Sequence, residues 1–327
     1  MGTHRSLQHL QRLNSRGTCC TIGNFDGVHL GHQTLVKQTL TRARASGLTS
    51  VVVTFDPHPL RIINGETPPF ITPTGQKLKL LEDLGVDHIL CLEFTPRMAA
   101  MSPEDFVSTI LVDGLSIHQL VIGHDYAFGK GRSGNYEVLK ELGRQHGFEV
   151  ERIEPVILNG DVVSSSRIRS LIQAGRVTEV RPLLGRFYRV SGTVIQGKKR
   201  GGPLLGVPTA NIKLVDELFP KPGVYAVWGE HEGRLHKAVA NVGFNPTFGN
   251  DALSVEVHLL DFDQDLYTQT LQVHFVERLR DERKFAGVEE LLAQIRKDIS
   301  QARISLSDPV NAITNAEQST NSEQPTA

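Results

Sequence analysis

Residues 21–32 read Thr-Ile-Gly-Asn-Phe-Asp-Gly-Val-His-Leu-Gly-His; the ten from Gly23 onward hold three glycines, an aspartate and two histidines. These residue types suit the binding of phosphate. Imidazoles and backbone N–H groups can converge on anionic oxygens, and a helix start adds the positive end of its dipole. The apolar run 19–22 predicts a strand and the amphipathic run after His32 predicts a helix, so the cluster occupies a strand-to-helix turn. Gly23, Phe25, Asp26, His29, Gly31 and His32 are therefore candidate phosphate contacts, with His29 and His32 the pair best suited to the role. Gly31 allows the backbone to approach a ligand closely. Zinc is an alternative use of two histidines, but no third and fourth ligand stand at a familiar spacing.

The stretch resembles the Gly-x-Phe-Asp-x-x-His-x-Gly-His signature of nucleotidylyltransferases. Three further clusters follow it. Thr54-Phe55-Asp56-Pro57-His58-Pro59 lies just past a predicted strand end, where open α/β sheets place ligands. Gly123-His124-Asp125-Tyr126-Ala127-Phe128-Gly129 sets an acid beside two aromatics, a combination able to stack on and hydrogen-bond a planar ring. Ser164-Ser165-Ser166-Arg167-Ile168-Arg169 precedes a helical run, so its hydroxyls and Arg169 can hold phosphate. Taken singly, each has a plainer reading as a rigid loop, local packing or a serine cap. Gly129 to Gly134 also matches Gly-x-Gly-x-x-Gly, but residues 124–128 separate it from the preceding strand, so the dinucleotide fingerprint is rejected.

In order, the four clusters resemble those of bacterial FAD synthetase modules over nearly all of residues 15–185. That resemblance implies transfer of AMP from ATP to FMN, giving FAD and pyrophosphate. It also implies flavin contacts at Phe55, Pro57, His58, Asp125 and Phe128.

The second half carries another set. Gly197-Lys198-Lys199-Arg200-Gly201-Gly202 joins glycines to cations and leads into Gly206-Val207-Pro208-Thr209-Ala210-Asn211. Gly197, Lys198, Arg200 and Pro208 are candidate phosphate contacts, and the oxygens of Thr209 and Asn211 suit a magnesium ion that keeps several waters. Pro222-Gly223-Val224-Tyr225, the loop 241–248 and Ser254-Val255-Glu256-Val257-His258 follow. Alternation places Glu256 on one strand face, where the plainer reading is a solvated carboxylate. This half resembles riboflavin kinases, so the whole chain is similar to the bacterial bifunctional riboflavin kinase/FAD synthetase family. The resemblance implies Glu256 as base for the ribityl 5′-hydroxyl and a Mg-ATP site at Thr209 and Asn211. One departure stands out: the usual Gly-Arg-x-Leu-Gly flap is Gly201-Gly202-Pro203-Leu204-Leu205-Gly206 here, with Arg200 as the candidate substitute. A FAD synthetase whose barrel only binds flavin, or a flavin-sensing protein, are the competing readings; the retained His29, His32, Thr209, Asn211 and Glu256 argue against degenerate sites.

The elements that must position these residues divide in two. Strands predicted at 19–22, 51–55, 88–92, 120–122 and 148–153 alternate with helices near 33–45, 75–84 and 168–174, as in a Rossmann-like open parallel sheet. Ser102-Pro103-Glu104-Asp105 reads as a helix start. From Leu184–Tyr188 onward, β-type runs at 188–195, 224–228, 238–242, 253–260 and 271–275 predict a small antiparallel barrel, closed by a helix near 288–302. The expected domains are 1–185 for adenylyl transfer and 186–306 for the kinase, with a disordered tail over 307–327.

Composition fits these readings. A net charge of −1 on 327 residues gives no field that would draw the chain to nucleic acid or membrane. No leader or membrane-length apolar run is visible, and the three cysteines lack metal or redox spacing, so a reduced, cytoplasmic protein with small-molecule substrates is expected. No Walker A motif is present, which argues against a P-loop kinase.

Overall fold

Alternate residues along the buried strands of the N-terminal half face two different cores, and this decides its architecture. The computed structural model describes residues 2–8, 16–65, 69–195, 207–214, 217–244 and 253–313. They form two compact units, Met1–Ser164 and Ser165–Ala327.

In the first unit, β1 (Gly2–His4), β2 (Thr18–Ile22), β3 (Thr49–Asp56), β4 (His88–Glu93), β5 (Ile117–Gly123) and β6 (Glu149–Ile153) make a parallel sheet in the order β1-β4-β3-β2-β5-β6. Cys20, Val51, Val53 and Leu90 point into one core, while Cys19, Val52 and Ile89 point into the other. Helices α1 (Leu30–Ser46), α2 (Pro59–Asn64), α3 (Thr74–Glu82), α4 (Pro96–Ala99), α5 (Pro103–Phe106) and α6 (Tyr136–His146) lie between the strands, and a small hairpin of β7 (Ile157–Leu158) and β8 (Asp161–Val162) follows. α1 and α3 cover one face through Leu35, Val36, Leu40, Leu80 and Leu81; Phe106, Leu139 and Leu142 cover the other. The expected start at Ser102 is present, its Oγ accepting from the Asp105 N–H at 3.0 Å. Strand β1 was not expected, because its three polar residues carry no apolar alternation; it joins the edge by pairing with β4. Order reversal between β3-β2 and β5 creates the switch point at which such sheets take ligands.

The second unit opens with α7 (Ser165–Gln173) and α8 (Val177–Leu184), then β9 (Tyr188–Ile195), β10 (Ala210–Lys213), β11 (Gly223–His231), β12 (Arg234–Phe244), β13 (Leu253–Leu259), β14 (Thr270–Arg280) and α9 (Val288–Ser305). The strands close antiparallel in the order β10-β13-β12-β11-β14-β9. β10 was not expected, being only four residues long with Asn211 and Lys213 interrupting its apolar residues. Inside the barrel, Phe275 packs against Tyr188 and Tyr225 with ring centroids 5.9 and 5.2 Å apart. α9 closes one side through Ala302 and Leu306 on Phe187, Ala226 and Val276, and is tied down by Asp298, which accepts from Arg280 Nη2 at 2.7 Å and Nε at 3.0 Å. Order continues past Ser307, where the polar composition led us to expect none: Pro309–Asn311 form a 3-10 turn whose Asn311 carbonyl accepts from Trp228 Nε1 at 2.8 Å. No described helix is long and apolar enough to cross a membrane.

Gly192 lets β9 meet β10. A Cβ there would stand 2.3 Å from the Lys213 carbonyl oxygen and 2.6 Å from Ile212 Cγ2. Gly192→Ala should therefore lower stability by about 1–3 kcal/mol through overpacking, read from urea unfolding; an unchanged midpoint would show that the strands separate at no cost.

Candidate active sites

The turn after β2 is held in a conformation that ordinary residues avoid. Phe25, Gly27 and Val28 have φ of 52°, 88° and 39°. A positive φ is costly at a β-branched valine, and such residues concentrate where function over-determines the backbone. Three contacts impose it. Asp26 is 3% exposed, and its carboxylate accepts from the Ile71 and Thr72 N–H groups at 3.2 and 3.0 Å. Thr72 Oγ1 accepts from the Gly27 N–H at 2.7 Å. The Phe25 ring is fully buried in the α1 core. Asp26 and Phe25, expected to touch phosphate, thus shape the turn from beneath. Gly23 leaves room for the Phe25 ring, which a Cβ would meet at 3.3 Å.

His29 is the N-cap of α1, and its Nδ1 accepts from the His32 N–H at 3.4 Å. Accepting at Nδ1 leaves the proton on Nε2, a donor for an incoming oxyanion. Gly31 serves this ring as much as any ligand: a Cβ would lie 3.1 Å from its Nδ1 and Cε1. The His32 ring stacks on His29 at 3.6 Å, and its Nδ1 is buried with no hydrogen-bond partner. Burial holds His32 well below the usual histidine range, with His29 and Lys77 adding to the effect, so its imidazole is neutral. The first turn of α1 has no acidic residue to offset the helix dipole. Stacked imidazoles, an unsatisfied nitrogen and an uncompensated helix start together suit a polyanion.

His58 repeats the device in the turn after β3. It caps α2, with Nδ1 accepting from the Leu60 N–H at 3.2 Å, and Pro57 precedes it. Phe55 and Phe128, expected to hold a flavin ring, are core residues: they are 8% and 7% exposed, and pack on Phe94 at 5.4 Å and Phe106 at 5.5 Å respectively. Sequence alone could not separate these uses, because an aromatic ring buries well against either protein or ligand. Asp125, in contrast, has a side chain 83% exposed after β5. Ser164 ends the first unit, while Ser165, Ser166 and Arg169 lie on α7 in the second.

In the barrel, strand register does the assembling. Glu256 on β13 stands directly opposite Asn211 on β10 and Asn241 on β12. Directly paired residues share a sheet face, so the three form one polar row. Its Val255 and Val257 neighbours are buried, while Glu256 is half-exposed. Asn211 is 6% exposed, and its Oδ1 is buried without a partner. Asn241 donates from Nδ2 to Glu282 Oε1 at 3.3 Å. Sequence reading missed Glu282 for want of any local pattern. Thr209 is exposed and lines a cavity of about 170 Å³ with Ala210, Val257, Phe262, Asp265 and Tyr267. The Pro208 carbonyl lies 2.8 Å from His258 Nδ1. Gly197, Lys198, Arg200, the 201–206 flap and residues 245–248 lie outside the described residues.

These two assemblies coincide with two family models: FAD synthetase over residues 11–167 and riboflavin kinase over residues 184–306. A bifunctional riboflavin kinase/FMN adenylyltransferase of Pseudomonas fluorescens is 40% identical over 300 residues, spanning 91% of this chain and 96% of the relative. The chain belongs to the bifunctional riboflavin kinase/FMN adenylyltransferase family. The family enzyme of Escherichia coli K12 is 36% identical over 302 residues, again covering 91% and 96%. A solved structure described as a macrolide-efflux protein from Streptococcus pneumoniae superposes with a TM-score of 0.82 at 31% identity, covering 92% of this chain and 98% of that one. Membership with both domains favours the two-activity reading over a single-activity enzyme or a flavin sensor.

Glu217 is a buried acid that sequence reading also missed. It is 6% exposed; Oε1 accepts from the Ser191 N–H at 3.2 Å and Oε2 has no partner. Burial pushes its pKa from 4.5 up to about 7, against the weaker opposing pull of the Ser191 N–H and Arg189. A folded-state value above the unfolded one means that protonated Glu217 is tolerated in acid and that stability is lost as pH rises from 4.5 through about 7. Glu217→Gln should therefore be more stable than the parent at pH 8 by about 3 kcal/mol, and no more stable near pH 4. Urea unfolding at the two pH values checks this; a gain of equal size at both would remove ionisation as the cause.

Proposed function

We propose that the barrel phosphorylates riboflavin to FMN and that the parallel-sheet domain transfers AMP from ATP to that FMN, so that one chain carries riboflavin to FAD. The observation that carries this reading is the presence, in one chain, of the His29–His32 pair at an acid-free helix start and the Asn211–Glu256–Asn241 row on a barrel. The proposed domains are 1–185 and 186–306. Buried, free Cys19, Cys20 and Cys91 support a reducing, cytoplasmic setting.

In the kinase step, Glu256 orients the ribityl 5′-hydroxyl and takes its proton as the oxygen attacks the γ-phosphorus and ADP leaves. Asn211 fits a magnesium ion, because its buried Oδ1 lacks any other partner, and Thr209 is the second proposed ligand. Magnesium, when bound there, supplies charge neutralisation for the phosphates. The cavity beside Thr209, with Phe262 and Tyr267 in its wall, is proposed to take a planar ring of the nucleotide.

In the adenylyl step, an FMN phosphate oxygen attacks the α-phosphorus and pyrophosphate leaves. That phosphate is already anionic, so no strong base is needed. The Nε2–H of His29 donates to the developing charge, and neutral His32, protonated at its unpartnered Nδ1, is proposed to donate to the same anion. Ser164, Ser165, Ser166 and Arg169 are proposed as further phosphate contacts of this reaction, and Pro57, His58 and Asp125 as flavin contacts.

Incubating the full chain with riboflavin, ATP and Mg²⁺, and separating FMN from FAD, tests the proposal; absence of both products from folded protein would refute it. Two substitutions should give a crossed result. Glu256→Gln is expected to lower riboflavin phosphorylation about 10²–10⁴-fold while supplied FMN is still adenylylated. His29→Ala should do the reverse. Parent-like unfolding midpoints are required of both proteins. If Glu256→Gln phosphorylates riboflavin at the parent rate, Glu256 is only a strand-face carboxylate.

A further inference from the structure

Lys77 on α3 is 6% exposed, yet it carries an ammonium group. Its Nζ donates to the carbonyl oxygens of Asn24 and Phe55, each at 3.1 Å. The first oxygen belongs to the turn that bears His29 and His32. The second lies at the end of β3, directly before Asp56, Pro57 and His58. Thr54 Oγ1 also donates to the Asn24 carbonyl, at 3.3 Å.

No carboxylate pairs with this cation among the described residues. Asp26 is committed to the Ile71 and Thr72 amides. Asp56 accepts from Thr74 Oγ1 at 3.0 Å and from Arg5 Nη1 at 3.3 Å. A buried charge without an ion-pair partner is strongly unfavourable, and an uncharged amide could join two carbonyls at less cost. Positive charge at this place therefore needs a reason beyond bridging. The turn it holds is the one whose stacked imidazoles and acid-free helix start suit a polyanion, so a positive charge there favours the docking of phosphates.

We infer that Lys77 is a positioning residue for adenylyl transfer: it fastens the His29–His32 turn to the end of β3 through the Asn24 and Phe55 carbonyls, and its positive charge favours the docking of the nucleotide phosphates. This rests on the proposed adenylyl activity of the first unit. Lys77 touches neither reacting group itself; it acts through the backbone that carries the histidines. Burial lowers its proton affinity, while Cys91, Asp26 and Asp56 act in the opposite sense.

Lys77→Met removes donors and charge but keeps the stem; Lys77→Gln keeps a donor and removes the charge. Three measurements on the full chain separate the possibilities. Hydrogen exchange over residues 23–32 and 55–60 should speed up at least tenfold in Lys77→Met and less in Lys77→Gln. Turnover of FMN to FAD should fall about 10²-fold in both, as expected for misplaced catalytic groups, with the KM for FMN within threefold of the parent. Riboflavin phosphorylation in the same proteins should stay within twofold. Should Lys77→Met fail to fold, Lys77→Gln decides. The inference is overturned if Lys77→Gln turns over FMN within threefold of the parent, if both turns keep parent protection in folded Lys77→Met, or if both activities fall together. A parent chain that makes no FAD refutes the functional reading, and hydrogen exchange then still tells whether Lys77 joins the two turns.

Discussion

A helix that starts in a ligand site leaves N–H groups in need of acceptors, and much of the first unit follows from how this chain supplies them. Side-chain oxygens commonly do so. Here imidazole nitrogens do, His29 at α1 and His58 at α2. An imidazole that accepts at Nδ1 must carry its proton on Nε2, so the cap also sets the tautomer and makes Nε2 the donor. For His29 the device requires the turn to double back tightly. That explains the positive φ at Phe25, Gly27 and Val28, the Asp26 carboxylate that grips the Ile71–Thr72 backbone, and the glycine beneath the His29 ring. Each departure from easy backbone geometry here serves the placement of one nitrogen.

The barrel solves its problem by register instead. Antiparallel pairing sets Asn211, Glu256 and Asn241 side by side on three neighbouring strands, with no turn strain. A shift of one residue in any strand would move its member to the other face. The packed Tyr188, Tyr225 and Phe275 rings and the Arg280–Asp298 tie to α9 oppose such a slip. The Asn211 Oδ1 left buried and unpaired is costly in a folded protein, and the proposed magnesium ion would offset that cost.

Strongly periodic elements were readable from the chain. The centres of β2, β3 and β4 are largely apolar and buried, because a parallel sheet is covered on both faces, and Ser102 marks a helix start by ordinary capping chemistry. β1 and β10 were not readable, since each is too short to show an apolar pattern and is recognised by its pairing with neighbouring strands. The helical pair α7 and α8 shows the same limit: a change from α/β to β pattern at Leu184–Tyr188 is plain in sequence, yet the contacts group both helices with the barrel unit.

Motif order and spacing alone determined the family; residue types pointed to phosphate at the two histidines flanking Leu30-Gly31 and to magnesium at Thr209 and Asn211, and the proposed role of the strand glutamate came through the resemblance. Spacing records which residue types lie within reach of one another. It cannot say which way a side chain turns, because that depends on what packs behind it. Only the tertiary structure decided that Phe25, Phe55 and Phe128 face the core, that Asp26 holds backbone amides, and that Lys77 lies buried between two turns far apart in sequence. Those outcomes come from competition for buried space and hydrogen-bond partners among distant segments, and no local pattern carries that information.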